Sequence, residues 1–225
     1  MSLKVLIVDD DVSILDLMSE VLTSEDIEVT PMNDSESAAA LVQKKRFDGI
    51  FLDLQMPKIG GLELAKRIRQ TSLNKTTPVI VVTGEDERTI MQQAFGAGAT
   101  FFLQKPIDRL RLLRLLSTVQ GSMMSNRRRF IRVPVETEVV VEARGEKFKG
   151  ITRNISQDGM LFEPARLSSG DPVRLVFSLP GVRVTISASG VVVRIEEPQR
   201  AGVQFTSLSD SSRNAIREII DRQAA

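Results

Sequence analysis

The first half of the chain alternates short apolar runs with segments of helical periodicity. In VSILDLMSEVL, for example, Ile14, Leu17, Met18 and Val21 fall on one stripe, as expected of a helix that packs on a sheet. Five apolar runs, each followed by such a helical segment, predict a doubly wound parallel sheet of five strands with helices on both faces; the runs are KVLIV, IEVT, GIFLD, PVIVVTG and FFLQ. The fourth helical segment is ERTIMQQAFGAG, which begins at Glu87.

The pattern changes after Gly121, where strand-like alternation replaces helical periodicity. Val182, Val184 and Ile186 alternate with polar residues, which is typical of a half-buried antiparallel strand. Closely spaced turn signals at 145, 158–159, 169–170 and 180–181 predict a small antiparallel β-barrel, and DSSRNAIREIIDRQ predicts a terminal helix. We therefore predict an α/β domain over 1–121, a flexible linker over 122–126 and a β-barrel domain over 127–225.

Composition excludes several kinds of chemistry. The 225 residues contain no cysteine and no histidine, which excludes disulfides, thiolate metal sites and a phosphohistidine on this chain. No apolar run approaches the roughly 20 residues of a membrane span, and the apolar part of MSLKVLIV is too short for a signal peptide. We expect a cytoplasmic protein that does not insert into membranes.

The charge is divided unevenly between the halves. Residues 1–126 carry 14 Lys and Arg against 17 Asp and Glu, whereas residues 127–225 carry 16 against 12, and 14 of those 16 cations are arginines. The segment SNRRRFIRVPV alone contains four of these arginines. Such a run is typical of a solvated linker, a nucleic-acid patch or a pocket for a phosphate-bearing ligand, and composition does not choose among them.

Polar residues follow the strands of the predicted parallel sheet at their carboxyl ends, where the sites of such sheets lie. The first strand ends at Asp9 and Asp10, the third at Asp53, the fourth at Thr83 and the fifth at Lys105. Two carboxylates about 4 Å apart repel by roughly 4 kcal/mol at an effective dielectric near 20, so a cation is expected among them, and Mg²⁺ suits carboxylates and phosphate oxygens. An aspartate beside Lys105 and Thr83 is a candidate phosphoryl acceptor. Taken singly, each residue also has a structural interpretation, such as Asp10 or Asp11 capping the helix that begins at Val12.

These motifs resemble the receiver domain of bacterial response regulators. The resemblance rests on VLIVDDD, FLDLQMP, VIVVTG and FFLQKP, and it covers about the first 120 residues. It implies that Asp53 is phosphorylated by a histidine kinase and that Thr83 and Phe102 form the switch pair, with Lys105 as the cationic partner of the phosphate. The implied Mg²⁺ ligands are Asp10, Asp9 through water, the phosphorylated aspartate and the backbone carbonyl of Gln55.

The fifth predicted helix has leucines at 110, 112, 113, 115 and 116, more than one buried stripe requires. In the family that the sequence resembles, the fourth and fifth helices often form a homodimer or pack on the output domain. Burial by the second domain of this chain is an equally good interpretation.

The arginine segment contains two residues, Arg128 and Arg132, that are four positions apart and therefore share a side in either a helix or a strand. Downstream, RNISQDGM offers the amide of Asn154, the hydroxyl of Ser156 and the close backbone approach or positive φ that Gly159 permits. An ordinary Asx-type hairpin turn is the alternative for this second motif.

Together, RRFIR and NISQDG resemble the two signatures of PilZ domains, and the resemblance covers most of residues 126–222. It implies binding of cyclic di-GMP, with Arg127 and Arg129 as further candidates for phosphate contacts. Arginine pairs bidentately with guanine and with phosphate, so the residue types fit this ligand. We do not expect DNA binding, because the chain lacks a second predicted recognition helix after the barrel and has no tryptophan or tyrosine.

The sequence thus predicts a response regulator, not an enzyme, with a receiver domain and a cyclic di-GMP-binding output domain that acts on an unknown downstream protein. The alternative is an interaction adaptor: its barrel would bind a motility, pilus or secretion protein, and it would bind cyclic di-GMP weakly or not at all.

Overall fold

The computed structural model describes residues 2–84, 88–163, 166–196 and 199–224. The chain divides into two compact units, Met1–Arg127 and Arg128–Ala225. In chain order, the elements of the first part are β1 Leu3–Val8, α1 Val12–Ser24, β2 Ile27–Met32, α2 Ser35–Lys44, β3 Gly49–Asp53, α3 Gly61–Gln70, β4 Val79–Thr83, α4 Arg88–Ala97, β5 Phe101–Gln104 and α5 Arg109–Phe130. Glu87, at which the fourth helical pattern begins, lies outside the described residues.

The first unit is built on a parallel sheet with strand order β2-β1-β3-β4-β5. Strands β3 and β4 are buried throughout because helices cover both faces. On one face, residues of α1 and α5 pack on Phe51 and Ile80; on the other, residues of α2, α3 and α4 pack on Ile50 and Val81. The predicted doubly wound α/β fold is confirmed.

Helix α5 differs from the prediction in its length. Residues 122–126, which we expected to form a flexible linker, are helical, and Met123 and Asn126 in them are buried. They continue, at spacings of four and three, the stripe begun by the buried Leu112, Leu116 and Val119. A glycine at position 121 costs a helix about 1 kcal/mol, which burial of a methionine outweighs.

The fifth-helix leucines divide between core and surface. Leu112 and Leu116 are buried, Leu113 and Leu115 are partly buried against the same core, and Leu110 is 67% exposed. Most of the leucine excess that suggested an interaction face is therefore accounted for by packing within the first unit.

The second unit is a β-barrel. Its elements are β6 Val133–Pro134, β7 Glu138–Ala143, β8 Glu146–Ser156, β9 Gly159–Glu163, β10 Pro172–Ser178, β11 Thr185–Glu196, β12 Arg200–Leu208 and α6 Asp210–Ala224. The strands pair in the order β8-β7-β10-β11-β12-β9, and β9 pairs with β8 to close the ring. Alternate side chains fill the barrel, and Ile216 and Ile220 of α6 belong to the same core. The predicted antiparallel barrel with a terminal helix is confirmed.

Candidate functional site

Three carboxylates form a cluster at the carboxyl edge of the parallel sheet. Asp9 directly follows β1, and Asp53 is the last residue of β3; both are buried, whereas Asp10 is exposed. Carboxylate oxygens of the three lie within 4.8 Å of one another. The side chain of Asp11 caps α1 by accepting a hydrogen bond from the backbone N–H of Ser13 at 2.8 Å, so the capping alternative applies to Asp11.

Lys105 lies against the two buried members of this acidic cluster. Its Nζ is 3.0 Å from Oδ2 of Asp9 and 3.3 Å from Oδ2 of Asp53. Burial and then the charge of Asp9 raise the pKa of Asp53, although Lys105 and the backbone N–H of Gln55 oppose the rise. Burial is the largest influence on Lys105 and lowers its pKa, but the carboxylates together outweigh it and raise the pKa. The pocket thus contains more negative than positive charge, which favours a bound cation.

The loop after β3 is positioned by contacts that the sequence analysis missed. A Cβ at Gly61 would collide with the carbonyl oxygen of Asp53 and lie 2.7 Å from Cα of Leu54, so only glycine permits α3 to begin so close to β3. The buried hydroxyl of Ser35 donates to the carbonyl of Pro57 and accepts from the N–H of Ile59. These contacts hold the loop that carries Gln55. The side chain of Gln55 is exposed, and its backbone N–H bonds to the carboxylate of Asp53.

The two switch candidates lie on adjacent strands. Thr83 ends β4 and is buried, and its carbonyl accepts a hydrogen bond from the N–H of Lys105 at 2.8 Å. Phe102 on β5 is half-buried and makes an edge-to-face contact with the exposed Phe95 of α4, with ring centroids 4.8 Å apart. The sequence placed both residues on the correct strands.

In the second unit, the arginine pair has two separate partners. Arg128 lies in the last turn of α5, and its Nε donates to Oδ1 of Asp221 in α6 at 2.8 Å. Arg132 lies beyond the helix, and its Nη1 donates to Oδ1 of Asn154 in β8 at 3.2 Å. The argument that the two share a side assumed one regular segment, whereas α5 ends at Phe130, between them. The contact between the two motifs through Arg132 is present.

The second motif forms the turn between β8 and β9. The buried hydroxyl of Ser156 donates to the carbonyl of Gly159 across this turn at 3.1 Å. A Cβ at Gly159 would collide with the carbonyl oxygen of Val203, so this glycine serves close approach of strands. Its φ is not among the positive values found in the described residues.

The two flanking arginines differ in their surroundings. Arg127 belongs to the first unit, where its Nη1 donates to the carbonyl of Ser2 at 3.0 Å. Arg129 is exposed.

Comparison with known proteins agrees with the acidic cluster and the barrel. Residues 5–117, half of the chain, match the family model of the response regulator receiver domain. The chain belongs to this family. Residues 126–222 match the model of the PilZ domain, so a PilZ domain follows the receiver. The receiver and PilZ resemblances read from the sequence are confirmed.

Two curated relatives each match about half of this chain. The regulatory protein VanRc of Enterococcus gallinarum is 32% identical over 118 residues, which are 52% of this chain and 50% of the relative. The transcriptional regulatory protein SrrA of Staphylococcus aureus is 31% identical over 126 residues, 54% of this chain and 51% of the relative. The chain thus spans about half the length of the curated relatives it matches.

Two solved structures also match about half of this chain. The chemotaxis response regulator CheY4 of Vibrio cholerae is 38% identical with a TM-score of 0.51, and the match covers 53% of this chain and 99% of CheY4. The receiver domain of the sensor histidine kinase PA1611 from Pseudomonas aeruginosa is 25% identical with a TM-score of 0.50, and the match covers 54% of this chain and 99% of that domain. That receiver has a magnesium ion coordinated in its active site cleft. Among the helices that the structure describes in our chain, none has the length and apolar character needed to cross a membrane.

Proposed function

We propose that the chain is a two-component response regulator in which Asp53 accepts a phosphoryl group from a histidine kinase. The observation that carries the proposal is the placement of this buried carboxylate within 3.3 Å of Lys105 and within 4.8 Å of two further carboxylates. In the transfer, an Asp53 oxygen bonds to phosphorus while the phosphorus–nitrogen bond of the donor histidine breaks. That histidine belongs to another protein, because this chain has none.

The residues around the acceptor suit this reaction. Lys105 can meet the charge of the new phosphoryl oxygens, and the hydroxyl of Thr83 can donate to one of them. Asp9, Asp10, Asp53 and the backbone carbonyl of Gln55 supply oxygen donors of the type that Mg²⁺ prefers, and the close carboxylates fit a divalent cation. When bound, the metal would neutralise charge on the transferred group. The magnesium in the PA1611 receiver domain supports this assignment.

Phosphorylation can be measured by intact mass after incubation with acetyl phosphate, with Mg²⁺ or with EDTA. We expect one added phosphoryl group with Mg²⁺, much less with EDTA, and none in Asp53→Asn. Asp16→Asn, a change of the same kind at an exposed position of α1, is the matched control and should be phosphorylated like the wild type. Equal phosphorylation of the Asp53 variant would remove the assignment.

We propose further that the PilZ domain binds cyclic di-GMP. The supporting observation is the contact between Arg132 and Asn154, which joins the two motifs of the resemblance on one side of the barrel. Arg128 is near enough to α6 to bind Asp221, so its guanidinium is held rather than free in solvent. Both arginines have the planar fork that pairs with phosphate or with the O6 and N7 atoms of guanine.

Calorimetric titration with cyclic di-GMP tests this proposal. We expect Arg132→Ala and Arg128→Ala each to weaken binding by about 2 kcal/mol, because each removes a charge-assisted contact. Ser156→Ala should cost about 1 kcal/mol, since one neutral hydrogen bond is lost. Arg183→Ala, at an exposed position, is the control and should bind like the wild type.

An adaptor role without cyclic di-GMP is the second candidate. It is favoured by large apolar side chains of the barrel that are exposed, including Val193 and Ile195 of β11 at 51% and 43%. Such exposed apolar residues are common at protein interaction sites. Absence of binding by the wild type at high micromolar cyclic di-GMP would favour this role.

A further inference from the structure

A row of paired residues runs across the outside of the PilZ barrel from β8 to β11. Asn154 pairs with Leu161, Leu161 with Gly202, and Gly202 with Arg194. Paired residues of antiparallel strands present their side chains on the same face. The residues on either side of Leu161 and of Gly202 along their strands belong to the barrel core, so this row faces outward; they are Met160, Phe162, Ala201 and Val203. Asn154 and Arg194 thus lie on one outer surface, with two strands between them.

Gly202 leaves room for the side chain of Arg194 to cross this surface. A Cβ built at Gly202 would lie 2.7 Å from Cγ and 2.9 Å from Nε of Arg194. The arginine therefore extends from β11 over β12, along the row that leads to Asn154. Nearly half of its side chain, 49%, is exposed, so the guanidinium is accessible to a ligand.

At the other end of the row, Arg132 holds Asn154 through the 3.2 Å hydrogen bond from Nη1. Burial lowers the pKa of Arg132; the positive charge of Arg194 lowers it further, and the negative charge of Glu196 opposes this. The two guanidinium groups are therefore close enough to repel each other. In the free protein the carboxylate of Glu196 compensates, with Oε1 at 2.8 Å from Nε of Arg194.

We propose that Arg194 is a third arginine of the cyclic di-GMP site, reaching over Gly202 to bind a phosphate or a guanine edge of the ligand held by Arg132 and Asn154. The inference rests on the proposed function of the PilZ domain. Two phosphates and two guanines present more anionic and acceptor groups than one arginine pair can bind bidentately. An anion between Arg132 and Arg194 replaces their repulsion by attraction, as Glu196 does in part without ligand.

The experiment is calorimetric titration of the full chain with cyclic di-GMP. Arg194→Ala should weaken binding about tenfold or more, as expected for loss of a charge-assisted contact. Arg194→Lys should recover only part of the affinity, because the ammonium lacks the bidentate fork. Arg183→Ala is the control for loss of an exposed arginine, and circular dichroism should show that each variant is folded.

Glu196→Gln separates direct contact from an indirect role. If Arg194 binds the ligand, removing its carboxylate partner should leave the affinity unchanged or higher. If Arg194 serves only to pair with Glu196, Arg194→Ala and Glu196→Gln should weaken binding equally, and the inference is overturned. Binding by the wild type that is lost in Arg132→Ala but unchanged in Arg194→Ala would overturn this inference alone. Absence of wild-type binding would overturn the proposed function and the inference together.

Discussion

Met123 provides a direct test of where the first unit ends. It lies in the segment that the sequence suggested was a linker, but its side chain is fully buried in the receiver core, against Gly49 at the start of β3. Met123→Ala removes three heavy atoms, worth about 2.4 kcal/mol at about 0.8 kcal/mol per methylene-sized group. A residual cavity of roughly 50 Å³ adds about 1 kcal/mol. We expect the free energy of unfolding of the receiver to fall by about 3 to 4 kcal/mol.

The contact with Gly49 allows a double-mutant cycle. A Cβ at Gly49 would collide with Cε of Met123 and lie 2.9 Å from its Sδ, so Gly49→Ala alone should cost about 1 to 3 kcal/mol by overpacking. In the Met123→Ala background the new methyl group enters the vacated space. The double variant should therefore be more stable than the sum of the single effects predicts, by about 1 to 2 kcal/mol.

Hydrogen exchange of the full chain, followed by mass spectrometry of peptides, measures the effect in each unit separately. The slowest amides of β1 to β4 should exchange more than about a hundredfold faster in Met123→Ala. Met124→Ala is the matched control, because its side chain is exposed and belongs to the same helix. If Met123→Ala and Met124→Ala behave alike, or if the cycle with Gly49 is additive, residues 122–126 do not pack on the receiver and our interpretation of α5 is wrong.

Three further outcomes are expected. Gly61→Ala should destabilise the receiver by about 2 kcal/mol or more in urea titration, whereas Gly60→Ala, with its nearest contact at 3.8 Å, should not. Asp221→Asn should tighten cyclic di-GMP binding up to about fivefold, because Asp221 and the ligand compete for Arg128. Weaker binding by this variant would contradict that competition. The pKa of Asp34 is lowered to about 2 by an ion pair with a lysine and by helix capping. Its carboxylate therefore stabilises the fold above the ordinary carboxyl pKa, and this contribution is lost as the pH falls through 2. An NMR titration of Asp34 with a midpoint near 4 would refute this expectation.

The strands of the receiver could be predicted because strands buried on both faces form short, continuous apolar runs in the sequence. A strand covered on both faces must be apolar throughout, so the polar residue that follows it marks the carboxyl edge, and Asp9, Asp53 and Thr83 are read directly. The end of α5 could not be read in this way. Gly121 and the serines around it suggest a break in the helix. The further turns are stabilised by contacts distant in sequence: Met123 packs in the receiver core, and Asn126 hydrogen-bonds to Thr76 and Thr77 before β4.

The PilZ site shows a different limit. The contact of Arg132 with Asn154 was expected because the two lie in recognisable motifs. Arg194 was missed, since its place depends on how β9 and β12 lie between it and Asn154, and on register shifts within β8–β9 and β11–β12. Pairing of strands distant in sequence depends on the whole barrel, and no local pattern specifies it.

Closure of the barrel restricts how another protein can recognise the PilZ domain. Strands with an unpaired edge can be extended by a strand from a partner, which supplies backbone hydrogen bonds with little regard to side chains. In the described part of the barrel every strand from β7 to β12 has at least two neighbours, and only the two-residue β6 has a single one. The free edge is short, since residues 146–150 of β8 pair with β7 alone. A partner that does not extend this short edge contacts the side chains and turns of the domain, so we expect single substitutions on the outer surface to change partner choice without disturbing the fold.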